Sequence, residues 1–206
     1  MTSQSEIIYA LDLLGTVAFA ASGALAGVRR NMDLFGVIVL GIVTATGGGV
    51  IRDVLLNDTP PFCFKNELYL YLALAASVVV FLTPRSFQRM NRAMLLLDAL
   101  GLGTFLVIGT SKALAYHLGF MGAIIMGVMT ATCGGLVRDL LSNQIPLILQ
   151  REIYASACAA GGALFYLLNR AGLPSELNLT LSALAVIAIR CTALLQGWQL
   201  PRRKAL

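Results

Sequence analysis

The sequence predicts an all-α membrane protein with seven transmembrane helices, arranged as two inverted three-helix repeats plus a seventh helix. Three observations lead there. The 206-residue chain is 58% hydrophobic and only 12% charged, with a mean hydropathy of +0.81, whereas soluble domains are about half apolar and roughly a quarter charged. Its apolar residues gather into seven runs joined by short connections, which leaves no room for an aqueous domain. The chain also matches itself at an offset of 86 residues.

The runs are 7–28, 34–56, 68–83, 94–115, 119–141, 153–169 and 177–197. A helix of 22 residues rises about 33 Å, enough for a hydrocarbon core of roughly 30 Å. The first run contains Ala24-Leu25-Ala26, which resembles a signal cleavage site. The MTSQSE stretch before it has no Lys or Arg, the run is long for a signal, and Asp12 lies inside it, so it reads as a true span. The second and fifth runs carry TATGGG and TATCGG, and the fourth carries Asp98 and Lys112. The third and sixth are shorter and need flanking residues or a thinned bilayer to cross. The last contains Arg190, whose role the sequence leaves open. The chain is thus one membrane domain over 1–206, with repeat one at 7–83, a linker at 84–93, repeat two at 94–169 and the seventh helix at 177–197.

The net charge of +5 sorts by side of the membrane. Seven spans put Arg52, Lys65, Lys112 and Arg170 on one side. Arg29, Arg30, Arg85, Arg89, Arg92, Arg138, Arg151, Arg202, Arg203 and Lys204 fall on the other. The basic-rich side faces the cytoplasm, so the N-terminus is expected outside and the C-terminus inside, in a multi-pass protein of the cell inner membrane. Topology and anionic headgroups account for the basic excess without nucleic acid. Cys63, Cys133, Cys158 and Cys191 are dispersed, and His117 is the one histidine, so neither a disulfide framework nor a zinc site is legible. Nothing calls for a cofactor.

At the 86-residue offset, 12–57 aligns with 98–143 without a gap, and 17 of the 46 positions are identical. TATGGGVIRDVLLN stands over TATCGGLVRDLLSN. After a one-residue gap the match continues through Glu67 with Glu152 and Tyr69 with Tyr154. Three spans per repeat force the second copy upside down relative to the first, a plan recurrent in proteins that move solutes or ions.

Gly47, Gly48 and Gly49 lie past the middle of the second span, with Cys133, Gly134 and Gly135 at the matching place in the fifth. Each glycine costs a helix about 1 kcal/mol relative to alanine, so the clusters are expected to break or kink both helices around a water-filled cavity. The carbonyls and the hydroxyls of Thr44, Thr46, Thr130 and Thr132 would then suit a partly dehydrated monovalent cation. The competing reading is close helix packing through small residues. Asp12, Arg52, Asp53, Asp98, Arg138 and Asp139 are costly inside spans and must face partners or water. Adjacent helical residues do not face one another, so Asp12 is expected to meet Arg52, and Asp98 to meet Arg138. These form a charged vestibule at each mouth or, on the competing reading, a purely structural ion pair. Lys112 replaces Ala26 of the first repeat; it belongs to the vestibule charges, though snorkelling is its first reading.

The duplicated glycine-rich segment followed by Arg-Asp, in a chain of three plus three plus one spans, resembles the bacterial trimeric intracellular cation (TRIC) channels. That resemblance implies a homotrimer with one pore per protomer, lined by the first, second, fourth and fifth spans. The pore would be kinked at Gly47, Gly48, Gly49, Gly134 and Gly135 and would pass monovalent cations such as potassium, with no resident metal. Cys133 stands where the third glycine of the fifth span is expected. Such sequences also carry a domain name that suggests glycine transport, so a carrier of a small solute stays open as the alternative. An enzyme is not expected, because the sequence holds no H-E-x-x-H, no Gly-x-Ser-x-Gly and no base near a nucleophile. Reporters fused at Asn31, Asn91 and the C-terminus are all expected on the cytoplasmic face; finding any of them outside overturns the orientation.

Overall fold

The structure, a computed structural model, describes residues 3–83, 87–150 and 153–198. Among these the chain forms nine helices: α1 Ser3–Arg29, α2 Leu34–Leu55, α3 Phe62–Lys65, α4 Leu68–Leu82, α5 Phe87–Ala115, α6 Phe120–Leu141, α7 Leu147–Gln150, α8 Ala155–Arg170 and α9 Ser175–Gln196. Each apolar run is helical, and five helices are long and apolar enough to cross a membrane. The short α3 and α7 lie in the connections after α2 and α6. Of the basic residues counted for orientation, Arg85, Arg151, Arg202, Arg203 and Lys204 lie outside the described residues, as do part of the 84–93 linker and the side chain of Arg89.

The helix ends repeat at the same offset as the sequence. Asn31, Asn57, His117 and Asn143 all have positive φ, between 51° and 60°, and end α1, α2, α5 and α6. After α2, the amides of Asn57 and Asp58 turn back to the carbonyls of Val54 and Asp53. After α6, those of Asn143 and Gln144 do the same to Leu140 and Asp139. The left-handed residue thereby satisfies carbonyls that lipid would leave bare. Asn57 and Asn143 are suited to that conformation because a short polar side chain lowers its cost. The start of α2 is capped by Asp33, whose carboxylate accepts from the Gly36 amide at 2.7 Å.

Residues related by the offset also meet at the centre. Phe19 of α1 and Phe105 of α5 meet at a tilt of 47° with centroids 5.1 Å apart. A Cβ on Gly101 would lie 2.0 Å from the Phe19 ring, and one on Gly15 would lie 3.3 Å from the Phe105 ring. Beside them α2 crosses α6. A Cβ on Gly48 would fall 2.0 Å from the Thr130 carbonyl oxygen, and one on Gly134 would fall 2.2 Å from the Thr44 carbonyl oxygen. Advancing from 44 to 48 along α2 corresponds to retreating from 134 to 130 along α6, so the two helices run antiparallel where they touch.

This geometry corrects the expected helix breaks. Both α2 and α6 are uninterrupted α-helices through their glycine clusters. The glycines serve close approach instead, because without a Cβ the two backbones can touch, and the packing between them offsets the loss of helix propensity. α9 uses the same device on the second half. A Cβ on Gly103 would lie 2.7 Å from the Ala183 carbonyl, and one on Gly161 would lie 2.1 Å from Val186. The Asn178 amide also donates to the Phe165 carbonyl at 2.9 Å.

Because backbone oxygens cannot rotate away, Gly48→Ala and Gly134→Ala should each cost about 1–3 kcal/mol or more through overpacking. Gly47→Ala should be near neutral, since its Cβ would have only the Gly134 Cα at 3.9 Å as a neighbour. Thermal melts of the three variants in detergent check this ordering.

Candidate functional site

Two charged clusters flank the α2–α6 crossing, each built on an Arg-Asp pair in the last turn or so of a helix. Asp53 and Asp139 perform the same two tasks. One carboxylate oxygen accepts the Nε of the preceding arginine, at 2.7 Å for Arg52 and 2.8 Å for Arg138. The other accepts the first amide of the following short helix, Phe62 or Leu147, at 2.8 Å in both cases. Each aspartate thus fixes its arginine and anchors α3 or α7 through an otherwise unpaired N-terminal amide. The expectation that adjacent Arg and Asp look elsewhere is overturned. That rule concerns where Cβ atoms point, and an arginine side chain is long enough to curl back onto its neighbour.

The remaining partners differ between the clusters. Arg138 Nη1 donates to Asp98 Oδ1 and to Ser22 Oγ, both at 2.6 Å, and the Tyr154 hydroxyl donates to Asp98 Oδ1 at 3.3 Å. Arg138 and Asp98 are fully buried. Asp12 and Arg52 do not pair: they form no ion pair within 4.0 Å. Arg52 lies over the Phe62 ring, 5.5 Å from its centroid, while Asp12 Oδ2 accepts from the Tyr69 hydroxyl at 3.0 Å. The cause is local. Phe62 fills the hollow above Gly49, where a Cβ would lie 2.3 Å from the ring, and draws the guanidinium onto its face. In the second half Leu147 stands in place of Phe62, and the Tyr154 hydroxyl faces Gly135 instead. Asp12 Oδ1, Asp98 Oδ2 and Arg138 Nη2 are buried with no hydrogen-bond partner among the described residues.

Lys112 does not snorkel. It reaches from α5 to the end of α2, where its Nζ bonds Asp53 Oδ1 at 2.6 Å and Asp58 Oδ2 at 2.5 Å. Asp58 also pairs with Lys65. Asp58 lies in the loop after α2, and these lysines, Lys112 first, hold its carboxyl down from 3.8 to about 2. Ala26 occupies the matching place in the first half, so the other cluster has no such lysine.

The four threonines turn their hydroxyls onto their own helices. Thr44, Thr46, Thr130 and Thr132 donate to Leu40, Ile42, Met126 and Val128 at 2.6–2.8 Å, each four residues back. Thr44 and Thr130 are buried beneath Gly23 of α1 and Gly109 of α5. Gly47 and Cys133 are half-buried next to the crossing, and the Cys133 thiol is free. Sequence reasoning does not reach Phe62, Asp58, Ser22 or the part played by the two tyrosines. Tyr69 with Tyr154, and Pro61 with Pro146, are visible as matches one residue off the main offset.

A family model described as glycine transporter matches residues 9–85 and 95–170. A UPF0126 membrane protein of Deinococcus radiodurans is 40% identical over 202 residues, covering 97% of this chain and 94% of its own. The UPF0126 inner membrane protein YadS of Escherichia coli K12 is 45% identical over 157 residues, 76% of each chain. Among solved structures, the TRIC trimeric intracellular cation channel orthologue from Rhodobacter sphaeroides is similar with TM-score 0.87 and 40% identity, covering 93% of this chain and 99% of its own. A prokaryotic TRIC channel in 0.5 M KCl is similar with TM-score 0.89 and 32% identity, over 95% and 100%. A third, from work on conductance through TRIC cation channels, has TM-score 0.87 and 39% identity over 95% and 97%.

Arg138→Met strands two buried carboxylates and should cost about 3–5 kcal/mol, while Lys112→Met, where the lysine and Asp58 are partly exposed and Asp53 keeps Arg52, should cost much less; denaturant or thermal melts compare the two. Because the folded-state value of Asp58 is depressed, its stabilisation is present above about pH 4 and lost as pH falls towards 2. Melts across that window should show this acid loss in the parent and a smaller one in Lys112→Met.

Proposed function

This chain belongs to the TRIC cation-channel family, and from that premise we propose that it assembles as a homotrimer in which each protomer carries its own potassium-permeable pore. The observation that carries the reading is a line of buried polar and charged side chains through an apolar bundle. At its middle α2 and α6 meet backbone to backbone at Gly48 and Gly134. Next to that point lie Thr46, Thr132, Gly47, Cys133 and the carbonyls of Thr44 and Thr130. At each end stands a charged cluster, with Asp12, Arg52, Asp53 and Lys112 at one mouth and Asp98, Arg138 and Asp139 at the other. Buried carboxylate oxygens without protein partners are tolerable in a membrane only where water or ions reach them, and this supports an aqueous path rather than a dry core.

On this reading α1, α2, α4, α5, α6, α8 and α9 are the seven spans, with repeat one over 7–83, the linker at 84–93, repeat two over 94–169 and the seventh helix at 177–197. The two repeats cross the inner membrane in opposite senses, with the N-terminus outside and the C-terminus in the cytoplasm. The antiparallel, reciprocal contact of α2 and α6 supports the inversion.

The family description as glycine transporter supplies the competing reading, a carrier that rocks about the same crossing. Purified protein in planar bilayers under a potassium gradient is expected to give unitary currents that reverse near the potassium equilibrium potential. The same protein in liposomes is expected to show no labelled-glycine counterflow. Saturable glycine exchange without unitary currents replaces the channel by the carrier.

A further inference from the structure

The two mouths share their parts but not their state. Tyr69 and Tyr154 occupy matching places, and each hydroxyl donates to the matching aspartate. Their rings are covered differently. Tyr69 makes edge contacts with Phe62 and Tyr9, at centroid distances of 4.8 and 6.2 Å. Tyr154 lies under Arg190 of α9, whose Cζ is 4.8 Å from the ring centroid and whose Nη1 donates to the Ile153 carbonyl at 2.6 Å. Among the described residues, no helix of the first half corresponds to α9. Arg190 is 1% exposed, a costly place for a guanidinium in a span. The docking of α9 rests on other contacts, those of Gly103, Gly161 and Asn178.

We infer that Arg190 is a positioning residue: by gripping the Tyr154 ring and the Ile153 carbonyl it keeps the Tyr154 hydroxyl on Asp98 and the Asp98–Arg138 pair closed, latching one mouth of the pathway. Among the described residues, the mouth at Asp12 and Arg52 has no such cation on its tyrosine, and there the carboxylate and the guanidinium stand apart. The inference rests on the pore reading above in that the latch closes the route of the ion. A cation over an aromatic face, combined with a hydrogen bond from the same guanidinium, fixes both the position and the tilt of the ring.

The test uses protein with Cys63, Cys133, Cys158 and Cys191 replaced by alanine and with Ser22→Cys added, beside the Arg138 Nη1 that Ser22 binds. In liposomes, the rate of modification by an impermeant cationic methanethiosulfonate is measured from either side. Arg190→Gln should raise the rate about tenfold, within the range typical of coupled sites. Tyr154→Phe keeps the ring and removes only the hydroxyl, and it should do the same. The double variant should react no faster than either single one, because both act through one latch. Arg190→Lys keeps the charge but lacks the planar guanidinium, and should give a rate between those of the parent and Arg190→Gln. A second reporter, Ser77→Cys, sits buried in α4 against Gly41 and should remain unmodified throughout.

Unchanged rates at Ser22→Cys, additive effects of the two single variants, or equal gains at Ser77→Cys would each overturn the inference; the last would mean that Arg190 only holds the fold together. The labelling pattern needs no current. If it is found in protein that passes no potassium, the latch stands and the pore reading fails.

Discussion

At the centre of the protein two helices touch through their backbones, Gly48 against the Thr130 carbonyl and Gly134 against the Thr44 carbonyl. That contact fixes much of the remaining geometry. It sets the separation of α2 and α6, and so the room left for Phe19 and Phe105 beside them. It also sets where the charges lie. Arg52 and Arg138 follow Gly48 and Gly134 by four residues on continuous helices, about 6 Å along each axis by helical rise. Because the helices are antiparallel, that rise carries the two arginines to opposite ends of the pair. A broken helix would have uncoupled the arginines from the crossing; an unbroken one makes their depth a consequence of it.

The Arg-Asp pairs show how a span carries charge without an isolated ion. Each aspartate takes its neighbour's guanidinium on one oxygen and a short-helix amide on the other. The connections α3 and α7 are therefore part of the charge network, and they close over the ends of α2 and α6 because the carboxylates hold them there. What differs between the halves is which third group joins: a phenylalanine face and a lysine at one end, a second aspartate and a serine at the other. A buried network of this kind is worth little against a well-packed apolar alternative, yet is costly to break. Its presence therefore points to a role beyond stability.

Much of the fold is legible in the sequence because lipid permits few structures. A chain that must satisfy its backbone internally shows its helices as apolar runs, and the positions of α2 and α6 are readable to within about a residue. The asparagines that end these helices are visible as identities at the 86-residue offset. The glycines stand out too, but their purpose does not. Low helix propensity and close approach leave the same mark in a sequence, and only the partner backbone distinguishes them. Arg52 with Asp53 misleads because spacing rules describe Cβ positions and not the reach of a long side chain. Phe62 is invisible for another reason: its influence on Arg52 depends on the hollow over Gly49, which exists only once α3 folds back over α2. Lys112 is conspicuous as a break in the repeat, but its target in the other half cannot be read from periodicity.

Among the described residues, the seat of α9 has a mate that no helix of this chain fills. α9 settles where Gly103 and Gly161 admit its backbone and Val186. The residues at the corresponding places in the first half are Val17 and Ala76, and they line an apolar groove of about 660 Å³ between α1, α4 and α5. In a chain of two identical halves, every substitution would be felt twice, once on each side of the crossing. Joining the halves in one polypeptide removes that tie. A glycine can be kept where a helix must be received and replaced where none is, and Phe62, Lys112 and Arg190 each touch one charged cluster and spare its twin. The central contacts retain the exchange symmetry because either half needs both copies to make them; the periphery is free to diverge, and it is there that the molecule acquires a direction.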